Sequence, residues 1–260
     1  MLTLIEDRSH VSHNQLLTML SCPYRYYLQY VEGREWDTFP SSISFGSAMH
    51  EAIGEYHIAM QNGGIGDKNE ITDIFRTSFS DNSLDAVFKD DDEFDNLMER
   101  GTELVSQYID TFPHIKPMEV EMEFRLPMVN TYTGDLIEKD IVGKIDMISN
   151  ADEIYELKTG GSSMPENSAA ENLQLILYAW AFKMIYGRSP QKLILVNLIR
   201  TKKPKIQVLE TMLDPVKEQK LLHLMFSVNE AIQKEAFYPN PKGMFGCGGC
   251  SYSLSCEYAF

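Results

Sequence analysis

The stretch GKIDMISNADEIYELKT, residues 143–159, decides the fold. Lys139 to Ser149 and Glu153 to Lys158 read as two strands, and Asn150 to Asp152 between them has the polar composition of a hairpin-type connection. Because side chains alternate along a strand, Glu156 and Lys158 share one face and Leu157 points to the other. Asp146 stands on the neighbouring strand, so an aspartate and a glutamate come beside one lysine.

Upstream, Met118 to Met128 sets Val120, Met122 and Phe124 between glutamates with a period of two, the pattern of a half-buried strand, and a turn at Thr131 to Asp135 reverses the chain. Together the three strands make an antiparallel meander. Downstream, Ser168 to Tyr186 reads as one amphipathic helix ended by Gly187. Lys192 to Arg200 is a strand rich in Leu, Ile and Val, Lys205 to Thr211 is a last strand, and Pro215 to Phe237 is a long helix. Before Pro113 and Pro117 the chain reads as helical. Two short helices meet near Cys22 within Ser12 to Val31, and others follow at Phe45 to Met60, Asn69 to Phe79 and Glu93 to Phe112. The expected organisation is a helical region over residues 1–112, a core over 113–238 and a cysteine-bearing segment over 239–260, forming one intertwined unit.

At 260 residues and 43% hydrophobic content the chain can bury a sizeable core. No apolar stretch is long enough to span a bilayer, and the best candidate, Leu173 to Ile185, carries Gln174 and Lys183, so a soluble protein with no membrane partner is expected. A net charge of −15 argues against a uniformly basic surface for coating DNA and confines any nucleic-acid contact to a local groove. The basic segment Arg200, Lys202, Lys203 and Lys205 could track a phosphate backbone there. The acidic run Asp90 to Asp95 is expected on a solvated surface without a catalytic role.

Two carboxylates converging at Asp146 and Glu156 suit a hard divalent cation such as magnesium or manganese. Lys158 in reach could orient or deprotonate a water and steady phosphate charge, which is the equipment for phosphodiester hydrolysis. The same residues also suit a plain cross-strand ion pair. Gly143 before the motif and Gly160-Gly161 after it let backbone approach a phosphate closely. Gln174 and Tyr178, at i and i+4, share one helix face that can reach the same groove. Glu119, Glu121 and Glu123 alternate onto one strand face, expected to be solvated, though one of them could bind a metal through water. Tyr24, Tyr26, Tyr27 and Tyr30 could stack on bases, but packing against the core accounts for them more simply.

The cysteines are Cys22 and, far from it, Cys247, Cys250 and Cys256 in a C-x2-C-x5-C run. Size and the lack of a charged-then-apolar leader argue against a secreted disulfide framework and for a reducing, cytoplasmic setting. A closely spaced run with one distant thiol favours an iron–sulfur cluster, whereas Zn2+ in a four-cysteine site, or plain packing of the thiols, remains open.

These motifs resemble the RecB-like branch of the PD-(D/E)XK nucleases, and in particular the iron–sulfur exonucleases of the CRISPR-associated or phage Cas-four type. The likeness rests on Cys22-Pro23 followed by the aromatic cluster to Tyr30, on Gly46 to His50, on Asp146, Glu156 and Lys158, on Gln174 with Tyr178, and on the closing cysteines. It implies an α/β restriction-endonuclease-like core with a central mixed sheet, an N-terminal helical region and a C-terminal cluster loop. It further implies His50, Asp146 and Glu156 as ligands of Mg2+ or Mn2+, Lys158 as the catalytic lysine acting with Asp146 and Glu156, and Gln174 and Tyr178 as substrate-binding residues. Cys22, Cys247, Cys250 and Cys256 become ligands of a 4Fe-4S cluster.

The resemblance implies a metal-dependent DNA exonuclease acting at single-stranded ends, with some endonuclease activity, in recombination, repair, phage replication or spacer acquisition. Its setting would be the cytoplasm of a bacterial, archaeal or phage-infected cell. The competing expectation is a non-catalytic iron–sulfur module that binds DNA ends for a helicase, recombinase or integrase, and the intact Asp146, Glu156 and Lys158 count against it.

Overall fold

A computed structural model describes residues 10–88, 93–130, 132–243 and 246–259. Of the residues singled out above, Asp90, Asp91, Asp92 and Thr131 lie outside them. In chain order the elements are β1 (His10–Ser12), α1 (His13–Ser21), α2 (Pro23–Tyr26), a π-helical turn (Tyr27–Val31), β2 (Phe39–Pro40), α3 (Ser41–Gln61), α4 (Lys68–Asn82), β3 (Ala86–Val87), α5 (Phe94–Thr111), β4 (Pro117–Val129), β5 (Leu136–Ser149), β6 (Glu153–Gly160), α6 (Ser168–Glu171), α7 (Leu173–Tyr186), β7 (Lys192–Ile199), β8 (Lys205–Thr211) and α8 (Pro215–Gln233). They fall into two units. One takes residues up to Thr38, Phe124–Gly143 and everything from Pro215, and the other takes Phe39–Glu123 and Lys144–Asp214. Strands β4 and β5 therefore contribute residues to both.

In the first unit, Ser12 starts α1 with a reciprocal cap. Its hydroxyl accepts from the Gln15 amide at 3.2 Å, and the Gln15 side chain accepts from the Ser12 amide at 2.7 Å. Cys22 is extended, with φ −155°, and separates α1 from α2, where Pro23 occupies a first-turn position that needs no amide donor. The π-helical turn after α2 was not readable from helical spacing. Strand β1 pairs in parallel with Asp140–Val142 of β5, and α8 packs against α1. Helix α8 stops at Gln233, short of the expected Phe237, and Glu235 beyond it has φ +52°, which a continuing right-handed helix excludes.

In the second unit the sheet is mixed. β5 and β6 are antiparallel with Met147 opposite Tyr155, β6 and β7 are parallel with Lys158 opposite Asn197, and β7 and β8 are antiparallel with Asn197 opposite Gln207. Strand β7 is buried from Leu193 to Ile199, as its unbroken apolar run requires of a strand covered on both faces. Leu157 joins Phe45, Phe75, Phe79, Leu104, Tyr108 and Val196 in the core beneath α3, α4 and α5, whereas Lys158 turns to α7. Helices thus lie on both faces of the sheet.

Sequence spacing predicts one amphipathic helix over Ser168 to Tyr186, and the structure corrects this twice. Asn172 breaks it in extended conformation and caps α7 by accepting from the Leu175 amide at 2.9 Å. Leu175 through Phe182 are all buried, so the middle of α7 is interior and its polar pair, Gln174 and Tyr178, faces the site instead of solvent.

One contact fixes how closely α4 and α5 approach. A Cβ on Gly101 would lie 1.9 Å from the Phe75 ring. Gly101→Ala is expected to destabilise the protein by about 1–3 kcal/mol, readable as a lowered unfolding midpoint.

Candidate active site and thiol cavity

The acidic site lies wholly in the second unit. Helix α3 passes over it and contributes His50, whose Nδ1 is 3.3 Å from Asp146 Oδ1. The other Asp146 oxygen accepts the Leu157 amide at 2.7 Å, so the strand next door fixes the carboxylate. Among the described residues, His50, Glu121 and Asp146 bring ligand atoms within 4.8 Å of one another. They line a groove together with Ser47, Gly54 and Lys144.

Of Glu119, Glu121 and Glu123, which alternation puts on one face with one of them able to bind a metal, Glu121 is the one that turns to the groove. Its φ of +52° breaks the alternation of β4 at that point. For a non-glycine residue this conformation costs roughly 1–2 kcal/mol. Glu123 is exposed, and the charge of Glu119 acts on the Tyr186 hydroxyl. The three glutamates that look equivalent in sequence therefore have three different fates.

Glu156 stands outside the His50, Glu121 and Asp146 grouping but beside it. Its side chain is 1% exposed, with the Lys158 ammonium 2.5 Å from Oε1, yet neither carboxylate oxygen accepts a well-formed hydrogen bond. Burial and then the Asp146 charge push its carboxyl up to about 8, against the pull of Lys158. Burial draws the His50 imidazole down, but the hydrogen bond and charge of Asp146 outweigh it and leave His50 above its ordinary value.

Lys158 Nζ donates to Gln174 Oε1 at 2.6 Å, Gln174 Nε2 donates to the Tyr178 hydroxyl at 2.7 Å, and that hydroxyl donates to the Lys144 carbonyl at 2.6 Å. The i, i+4 pair on α7 thus aims the lysine and pins the backbone of β5 next to Asp146. From the basic segment, Arg200 lies 5.9 Å over the Phe45 ring, and its amide donates to the Gly160 carbonyl. Of the remaining histidines, His57 is buried against the Tyr108 hydroxyl at 3.0 Å, and burial lowers its imidazole to about 4, so it stays neutral in the core.

A nitrogen, two carboxylates within 4.8 Å of it and a buried carboxylate with unsatisfied oxygens make a donor set that suits a hard divalent cation.

The four thiols belong to the first unit, where Cys22, Cys247, Cys250 and Cys256 line one cavity with Tyr24 and Arg25. All four are free of disulfides. The Asn240 amide donates to Cys22 Sγ at 3.3 Å, and the Asn240 side chain donates to the Ser21 carbonyl at 3.0 Å. Gly243 closes this cradle, because a Cβ there would sit 1.9 Å from the Ser21 carbonyl oxygen. Gly243→Ala is expected to displace the Asn240 loop, lower stability by about 1–3 kcal/mol and make Cys22 react faster with a thiol reagent.

No curated protein matches the chain significantly in sequence. Among solved structures, a candidate exonuclease from Eubacterium rectale superposes with a TM-score of 0.56 at 13% identity, covering 97% of this chain and 91% of its own. The protein SSO0001 gives a TM-score of 0.45 at 16% identity, covering 98% and 89%. The model of the PD-(D/E)XK nuclease superfamily matches residues 10–257. With a mixed sheet that carries Asp146, Glu156 and Lys158 and a match over nearly its whole length, the chain belongs to the PD-(D/E)XK nuclease superfamily.

Proposed function

We propose that the protein is a metal-dependent DNA nuclease of the RecB-like, iron–sulfur type that trims single-stranded ends as an exonuclease. The observation that carries the nuclease reading is the grouping of His50, Glu121 and Asp146 in one groove, with buried Glu156 and Lys158 alongside. His50, Glu121, Asp146 and Glu156 would hold the ion. A divalent ion held there supplies positive charge to the scissile phosphate and acidifies a water at neutral pH. Lys158, aimed by Gln174, holds its ammonium at the mouth of the site to steady the charge that grows on phosphorus oxygens, and Tyr178 keeps the β5 backbone in register. The exonuclease preference is supported by the description of the Eubacterium rectale neighbour, the one with the higher TM-score of the two.

The cluster reading is supported by the four cysteines lining one cavity, a closely spaced run with one distant thiol, and by the Asn240 amide directed at Cys22 Sγ, the kind of donor that stabilises metal-bound thiolates.

The test is an anaerobic preparation examined first by absorption and then with end-labelled single-stranded DNA, with and without manganese or magnesium. A brown protein that shortens the strand only with the metal is the expected result. A brown protein inert on every end would move the reading to an end-binding module, and a colourless active one would remove the cluster.

A further inference from the structure

Lys144 is a second lysine in the acidic groove, and nothing in the nuclease reading above uses its side chain. It lies two residues before Asp146 on β5 and so shares that face of the strand. Its ammonium contacts Glu121 Oε2, an oxygen of the residue whose backbone is strained to reach the groove, and it also feels the charges of Glu123 and Asp146. The root and the tip of the side chain are held differently. The Lys144 carbonyl accepts the buried Tyr178 hydroxyl at 2.6 Å, while the side chain is 52% exposed. The backbone is therefore fixed and the four-carbon stem can swing into solvent.

We propose that Lys144 is a built-in counter-cation of the groove, holding Glu121 until a divalent ion takes that oxygen and then offering its ammonium to the DNA phosphate backbone. This rests on the metal-nuclease reading of the same site. A doubly charged ion among His50, Glu121 and Asp146 would compete with the ammonium for the charge of the Glu121 carboxylate, so loading the site weakens the hold on Lys144. The released ammonium stays within its stem's reach of the groove, because the Tyr178 hydroxyl holds the Lys144 carbonyl beside Asp146. Lys144 then has two costs and benefits that separate cleanly: it weakens metal binding and strengthens binding of the polyanion.

The experiment titrates Mn2+ into the full protein by calorimetry, without DNA, for wild type, Lys144→Met, Lys144→Arg and Lys192→Met. Lys192 is paired with Glu210 at 2.8 Å and removes the same charge from another place. Lys144→Met is expected to bind Mn2+ roughly two- to fivefold more tightly, the worth of an exposed ion pair, with the other two variants unchanged. Equal tightening in Lys192→Met, or unchanged or weaker binding in Lys144→Met, overturns the proposal while leaving the nuclease reading intact. Failure of wild type to bind Mn2+ at all overturns the nuclease reading itself and the proposal with it. For the second half, single-stranded DNA binding with Mn2+ is followed against salt in a Lys158→Ala background. Adding Lys144→Met should make the logarithmic salt slope shallower by about 0.7, one phosphate contact, and an unchanged slope overturns the transfer to DNA.

Discussion

Glu156→Gln is expected to abolish cleavage and at the same time raise the stability of the metal-free protein, increasingly so with pH. The carboxyl is buried without a well-formed hydrogen bond and is held at about 8 in the fold, against an ordinary value of 4.5. Between those two pH values the unfolded chain has released the proton and the folded chain keeps it. Glu156 therefore costs nothing below pH 4.5, and its penalty grows until pH passes about 8, where it levels off. At pH 7 the penalty is on the order of 3 kcal/mol, and the amide, which never ionises, avoids it. Near pH 8, where the penalty reaches about 4 kcal/mol, a chain of this length should show an unfolding midpoint raised by roughly 8–16 °C, shrinking towards pH 5. Manganese should narrow the gap, because an ion held by ionised Glu156 stabilises wild type and not the variant. A midpoint difference that stays flat from pH 5 to pH 9 would show that Glu156 is already ionised in the fold.

Lys158→Ala carries the second large effect, a fall in cleavage rate of about 10²–10⁴-fold with DNA binding nearly unchanged. The lysine is about one-third exposed at the site and is held by one uncharged partner, Gln174, and one carboxylate, Glu156. Removing it leaves His50, Glu121 and Asp146 in place, so metal binding should persist. Single-turnover cleavage with saturating protein separates the rate from binding. A rate within threefold of wild type would place the ammonium outside the chemistry.

The core of this site was legible because it is local. Asp146, Glu156 and Lys158 lie within one hairpin, where alternation alone assigns their faces, and Gln174 and Tyr178 lie within one helical turn. His50 became legible only through family likeness, since nothing in the spacing of α3 says which strand it will meet. Which of Glu119, Glu121 and Glu123 reaches the groove was not legible, because strand alternation assumes an unbroken backbone and the left-handed φ of Glu121 is a tertiary feature that no period reveals. The break at Asn172 was readable in principle, asparagine being a cap former, but the apolar run beyond it outweighed that signal. Strand β1, three residues long, is too short to show any period and exists only through its pairing with β5.

The division of the chain has a consequence for inheritance. It passes from one unit to the other after Thr38, Glu123, Gly143 and Asp214. Every acidic-site residue lies between Phe39 and Asp214 and every thiol outside that span, so two crossovers can exchange the groove without the cysteines, but only by carrying Phe124–Gly143 of the other unit along with it. A groove moved in this way arrives with a stretch of β4 and β5 that must find new packing in its host, and that stretch is what resists separating the two sites.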